Sequence, residues 1–515
     1  MPSRALALQP HQATNLPLFA DQRESAAFLR RCNPTVDITA SAIDIFVHLQ
    51  GVPSIDGHTH YDVPSIITGT HCPTPTHVFL GRPAKVLSQG EANFGFDHYI
   101  AQLMLQYNTP EEVVYGTKDR TPENEFERFD HLVRCMKLAL GTDRYLWFTT
   151  SLETTFGLEA NLMRASSAQL WQEISEKLAS GRYSPQSMLV HAGVRLALTT
   201  DDPSSDLSLH SQSSVVKLLP TWRPDPVLML RKGGRYDFLP WLRAVEARAQ
   251  VTEVKTLDDL INLLRNRMAY FKAHGCVACD IGFPNFYPST LNYSNADGLL
   301  RSALGGQSDR INKYDEQDWQ GFMLRKLCEL NAEFNFRQYM HQGPARDTNT
   351  ARFGLYGPDT GSDGQGEQIN RTGFRQLFDA LFRERKLSPT LFFPLNPEDY
   401  QWVARNKTPF CGGGTGEIPN LLVGPPWWWN DNRAQNYAYI ERTLAADGPA
   451  AVFPMVSDAR MLATVHPRIL AWRANLAVAL ARWGDTWGLG RAVLHEHATQ
   501  IALTNAEKWL GLPST

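Results

Sequence analysis

The chain has 515 residues, 43% hydrophobic and 20% charged, an ordinary balance for a soluble globular protein. Fifty lysines and arginines face 53 aspartates and glutamates, a formal charge of −3, so there is no basic footprint for nucleic acid and no acidic tail. No stretch has the apolar length of a signal peptide or of a membrane span of about 18 residues, and the expectation is a cytoplasmic protein. Seven cysteines without framework spacing read as free thiols, and a core of this size needs no disulfide.

Residues 1–40 are mixed in composition and read as an N-terminal extension. The segment 41–60 then passes through an amphipathic stretch into a short apolar run ending in polar residues. From about 109 to 190 the signals are helical. Thr121 is a candidate N-cap with Pro122 at the first helical position, and Phe126, Phe129, Val133 and Met136 recur on one face before Gly141. A second helix fits 166–180, ended by Gly181. After that the texture changes. Short β-prone runs at 194–202, 390–396, 420–424 and 451–458 end in Asp, Asn or Gly, and helical segments separate several of them. Strands alternating with helices mean βαβ units and a parallel sheet. Polar residues gathered past several strand ends predict an α/β fold of the (β/α)₈ TIM-barrel type, with its site at the C-terminal ends of the strands. That barrel would span 41–490, leaving 491–515 as a C-terminal helix or tail. A doubly wound open sheet is the alternative fold, but no GxGxxG follows an early strand.

The motif Asp56-Gly57-His58-Thr59-His60 carries the most chemistry. On a strand, positions i and i+2 point the same way, so His58 and His60 can converge on one cation. An isolated HxH also occurs as a hydrogen-bonded loop pair. Asp458 and Arg460, after the last β-prone run, stand in the same i, i+2 relation and offer a third ligand beside a guanidinium. They serve equally as an Asp–Arg pair capping the next helix. Asp201 and Asp202 are adjacent, so only one of them can face a site. Arg223 lies between Trp222 and Pro224, suited to carboxylate recognition or to pairing with Asp225. His341, followed by Arg346, and Asp97-His98-Tyr99 are uninformative alone. Cys276 and Cys279 have CxxC spacing without a second pair.

Taken in order, these pieces resemble the uronate isomerase family, the glucuronate and galacturonate isomerases of the amidohydrolase superfamily. The ordered matches over about 50–475 are DGHTH at 56–60, DHY at 97–99, TTDDP at 199–203, the LPTWRPD run at 219–225, GC at 275–276, and His341 through Arg346 with Asn349. They continue with 357–361 and Asp363, 395–397, WWWND at 427–431 and VSDAR at 456–460. The resemblance implies a distorted barrel with a helical insertion, one divalent metal ion (zinc first, manganese or iron as alternatives), and His58, His60 and Asp458 as its ligands. It further implies proton transfer by Asp458, Arg460, Tyr99 and His98, with Arg460 lowering the Tyr99 pKa. Substrate binding would fall to Arg223, His341, Arg346 and Trp428. The implied reaction turns a hexuronate into its keto-uronate by a C2-to-C1 proton transfer, and the implied partner is a small sugar acid in an enzyme that could be a homo-oligomer.

The chain departs from the family pattern at Ile100-Ala101-Gln102, at Ile281 after Asp280, at Pro226, after VSDAR, and in an expanded segment at 61–97. These changes bear on the substrate more than on the metal. Two other readings stand beside the isomerase: a hydrolase using metal-activated water, and a silent binding protein that keeps only the fold.

Overall fold

Among the described residues nine strands follow one another: β1 (Ser54–Asp56), β2 (Val194–Leu198), β3 (Lys217–Leu219), β4 (Ala278–Phe283), β5 (Arg337–Gln342), β6 (Pro344–Ala345), β7 (Gly364–Gln365), β8 (Thr390–Pro394) and β9 (Leu421–Val423). They belong to a computed structural model that describes residues 19, 21–68, 74–81, 96–117, 121–159, 161–231, 236–412 and 417–513. Most of the early part of the extension, and 69–73 and 82–95 of the expanded segment, lie outside the described residues.

Parallel pairing gives the orders β1-β2-β3 and β4-β5-β8-β9, with β6 and β7 as a small antiparallel ribbon. Trp222 joins the two larger sheets, bridging Asp201 beyond β2 on one side and Cys279 in β4 on the other. Residues 452–458 supply the eighth stave. Toward β1, the Asp458 N–H donates to the His58 carbonyl at 3.0 Å and the His60 N–H to the Ala459 carbonyl at 3.0 Å. Toward β9, the Tyr439 hydroxyl accepts from the Phe453 N–H at 3.0 Å and donates to the Val423 carbonyl at 3.1 Å. The result is a distorted (β/α)₈ barrel. The run at 451–458 is predicted as a strand, but regular ladder pairing does not form there. Pro454 has no N–H to give, and a tyrosine side chain takes the place of the ladder on the β9 side.

Period-two alternation sorts the side chains. In β4, Ala278 joins the interior cluster with Tyr339, Leu391 and Phe393, while Cys279, Ile281 and Phe283 pack outward with Leu264, Phe271 and Trp319. Asp280 and Gly282 share the inward face with Ala278. The crossover from β1 to β2 carries the helices Pro122–Leu138 and Ser167–Ala179. Thr121 and Ser166 cap them, accepting from the Asn124 and Gln169 N–H groups at 3.2 and 3.1 Å. These helices build a separate apolar core around Phe79, Phe129, Phe156 and Ile174.

The C-terminal helix Asn505–Leu510 packs at the barrel end opposite the strand tips. Trp509 stacks on Tyr339 at 5.7 Å, and its carbonyl accepts from Arg337 Nε at 2.9 Å. No described helix is long and apolar enough to cross a membrane.

Candidate active site

The pairing of the β1 tip with the eighth stave brings His58, His60 and Asp458 together. His58 Nε2 lies 3.3 Å and His60 Nε2 3.1 Å from the same oxygen, Asp458 Oδ1. Upstream, Asp56 ties the two segments by accepting from the Ser457 N–H at 2.8 Å and from the Tyr61 hydroxyl at 2.7 Å. Asp458 itself sits at φ 46 and Trp428 at φ 53, in the left-handed region that costs side-chain-bearing residues about 1–3 kcal/mol. Both are residues of the site, so the surrounding contacts must hold that strain.

The second oxygen, Asp458 Oδ2, accepts from the Tyr99 hydroxyl at 2.5 Å. Tyr99 arrives on the first turn of the helix His98–Gln106, whose N-cap Asp97 accepts from the Tyr99 and Ile100 N–H groups. Arg460 does pull the Tyr99 pKa down, as expected, but it is outweighed. Burial and the Asp458 charge push the phenol well above its ordinary value, and the cation over its ring is Arg468, 5.4 Å from the centroid. Arg460 instead pairs through Nη2 with Asp359 Oδ1 at 3.3 Å. Arg468, which the sequence did not flag, also lies 4.2 Å over Trp147 and donates to the Ser457 carbonyl, bracing the turn that carries Asp458.

Across the cavity stands a second cluster. Arg223 donates from Nε to Asp225 Oδ2 and from Nη1 to Asp280 Oδ2, both at 2.9 Å. His341 Nδ1 lies 2.6 Å from Asp280 Oδ1, and its ring stacks on Phe393 at 4.5 Å. Arg223 pairs with Asp225, as one reading of the sequence had it, and it also lines the cavity. Arg346 pairs with Asp363 at 2.7 Å and lies 4.6 Å over the Trp428 ring. Asp202 faces the cavity and Asp201 turns to Thr199 and His210. Cys276 and Cys279 are buried free thiols.

The cavity measures about 690 Å³, within the usual range of small-molecule sites. His58, His60, Arg223, His341, Arg346, Trp428, Asp458 and Arg460 all line it. Tyr99 joins it through Asp458, and His98 lies behind, its ring 4.1 Å from Tyr99 and 5.9 Å from Trp428.

Among the described residues two groups of donors could hold a cation: His58, His60 and Asp458, and His58, Asp280 and His341, each with ligand atoms within 4.8 Å of one another. The first fits a divalent ion. Burial alone would raise the Asp458 carboxyl, but the two histidine contacts hold it well below the usual carboxylate range. Burial and Arg460 push His60 down to about 3, keeping its imidazole neutral. Burial would lower His58, but Asp280 and Asp458 outweigh it and raise it, so a proton occupies a contact that a metal would also satisfy. One carboxylate with neutral imidazoles suits zinc, manganese or iron. In the second group, both Asp280 oxygens already accept from protein donors.

Residues 36–510 match the family model described as glucuronate isomerase. A uronate isomerase of Photorhabdus laumondii is 27% identical over 426 residues, 81% of this chain and 87% of that protein. One from Caldicellulosiruptor bescii is 25% identical over 478 residues, 90% of this chain and 95% of that one. The crystal structure of a uronate isomerase from Thermotoga maritima superposes with a TM-score of 0.78 at 23% identity, covering 92% of this chain and 98% of its own. That of glucuronate isomerase from Caulobacter crescentus gives 0.77 at 18% identity, covering 98% and 97%. With a family model spanning nearly its whole length and a barrel shared with solved members, the chain belongs to the glucuronate isomerase family and is an isomerase.

Proposed function

We propose that the protein isomerises a hexuronate of the glucuronate or galacturonate type to the keto-uronate, moving a proton from C2 to C1. The observation that carries this reading is Asp458, whose Oδ1 meets two imidazoles and whose Oδ2 meets a phenol, inside a cavity rimmed by arginines. The hydrolytic alternative is not favoured, because the family and the relatives are isomerases.

A single divalent ion, zinc by its donor set, would be held by His58, His60 and Asp458 and would polarise substrate oxygens. Arg223 and Arg346 attract the substrate carboxylate, and Trp428, held under Arg346, offers a flat wall for the sugar chain. Asp458 takes and returns the hydroxyl proton as the ring opens. The Tyr99–Asp458 pair then takes up the C2 proton, holding one mobile proton between Oη and Oδ2, and delivers it to C1. Arg460 stabilises the negative charge that develops on the two reacting oxygens. His98, buried with neither ring nitrogen hydrogen-bonded, carries the remaining hydroxyl proton from O2 to O1.

The test is a panel of uronates and other sugar acids followed by proton NMR with the metal-loaded protein. Conversion of a hexuronate to a ketose supports the reading. Turnover confined to cleavage or hydration of other acids overturns it.

A further inference from the structure

Asp280 has no role in the proton transfer described above, yet it touches more of the site than any other acid on its side of the cavity. It is fully buried on the inward face of β4. Oδ1 is 2.6 Å from His341 Nδ1, and Oδ2 accepts from Arg223 Nη1 at 2.9 Å. His58 Nδ1 lies 3.6 Å from Oδ2, too long for a hydrogen bond but close enough for a proton on that nitrogen to face the carboxylate. An ionised carboxylate only accepts, so each neighbour must present a hydrogen to it. The Arg223 guanidinium, 2.9 Å from Oδ2, is the counter-charge of this buried carboxylate.

Two consequences follow from hydrogen-bond chemistry. His341 carries its proton on Nδ1, which leaves Nε2 as a bare acceptor. That atom is buried, has no hydrogen-bond partner, and belongs to a ring that lines the cavity. Arg223 spends Nε on Asp225 and Nη1 on Asp280, which leaves Nη2 without a carboxylate partner on a residue that lines the cavity. The neighbouring glycine shows how tightly this fork is set. A Cβ on Gly282 would stand 2.8 Å from Asp225 Oδ2 and 3.1 Å from Arg223 Nη2. The Gly282 N–H also donates to Asp225 Oδ1 at 2.8 Å, completing the frame.

We infer that Asp280 is a positioning residue for the isomerisation: it fixes the His341 tautomer and the Arg223 fork, so that an acceptor and a cationic donor face the substrate side by side. The pair reads a hydroxyl next to a carboxylate, the arrangement at C5 and C6 of an open-chain hexuronate. Its kinetic part rests on the isomerase reading; its tautomer part does not.

The tautomer is read by long-range ¹⁵N–¹H NMR of the zinc-loaded protein without substrate. The expected spectrum shows His341 protonated on Nδ1 alone; a proton on Nε2, or on both nitrogens, overturns the inference without any variant having to fold. In Asp280→Asn the amide presents hydrogens where the carboxylate presented none. His341 is expected to shift its proton to Nε2, and kcat/KM for the hexuronate to fall about 10–100-fold. Lost turnover with the His341 tautomer unchanged overturns the inference, as does a shifted tautomer with wild-type kinetics. If the wild-type protein converts no uronate, the isomerase reading fails, and the wild-type spectrum still decides the tautomer.

Discussion

The two walls of the cavity solve the problem of buried charge in opposite ways. On one wall, Asp458 faces two imidazoles and a phenol, and its hydrogen-bonding partners are all neutral-capable groups rather than arginines. On the other, Asp280 and Asp225 share the Arg223 guanidinium, and Asp363 has Arg346. A buried carboxylate without a full cation is costly, and a divalent ion bound by neutral histidines relieves that cost. The arginine wall is already neutralised and gains little from a metal. It can offer spare N–H groups to an anion instead. The difference supports the proposed placement of the cation at the first wall and of the sugar acid at the second.

Removing the charge of the first wall should have the largest effect. Asp458→Asn is expected to lower turnover by ~10³-fold or more, since it removes both the proposed metal ligand and the hydrogen-bond acceptor of Tyr99. Elemental analysis after dialysis should show less than one ion per chain, as it should for a His58→Ala/His60→Ala double variant. Equal metal content in wild type and the double variant would break the assignment.

Tyr99→Phe separates the metal from the proton. It leaves His58, His60 and Asp458 in place, so metal content should stay at the wild-type level while kcat falls by about 10²–10⁴-fold. Near-normal turnover would make the phenol a brace for the carboxylate and nothing more.

The smallest effect belongs to the second wall. Gly282→Ala pushes a methyl group against the Asp225–Arg223 pair and should destabilise the fold by about 1–3 kcal/mol, read by denaturant unfolding. KM should rise while metal content stays unchanged. A fall in bound metal would mean that the two walls are not independent.

The first wall was the more legible in sequence, again for a physical reason. His58 and His60 sit at i, i+2 beyond a strand, and Asp458 repeats that spacing with Arg460, so a local pattern points to a shared cation. On the second wall only the Arg223–Asp225 pair was local enough to read, because the other members come from β4, β5 and the segments flanking the β6–β7 ribbon and meet only in three dimensions. The strands themselves were hidden. Ala278–Phe283 contains Asp and Gly, and Arg337–Gln342 reads as polar, because their inward faces line the site instead of filling an apolar core. Asp280 was noted only for the residue that follows it. Arg460 acts on Tyr99 in the expected direction, but burial and the Asp458 contact that raise the phenol, and Arg468 over its ring, are three-dimensional and had no local signal. The helices capped by Thr121 and Ser166 were clear from local signals alone.

The proposed reaction moves a proton between neighbouring carbons and does not add water. It is tested most directly by incubating the zinc-loaded protein with glucuronate or galacturonate in heavy water and following the product by NMR and mass spectrometry. The expected product is a ketose isomeric with the substrate, with deuterium entering at C1 to the extent that the C2-derived proton on the Tyr99–Asp458 pair exchanges with solvent before it is delivered. A product with the mass of substrate plus water, or of cleavage fragments, would contradict it.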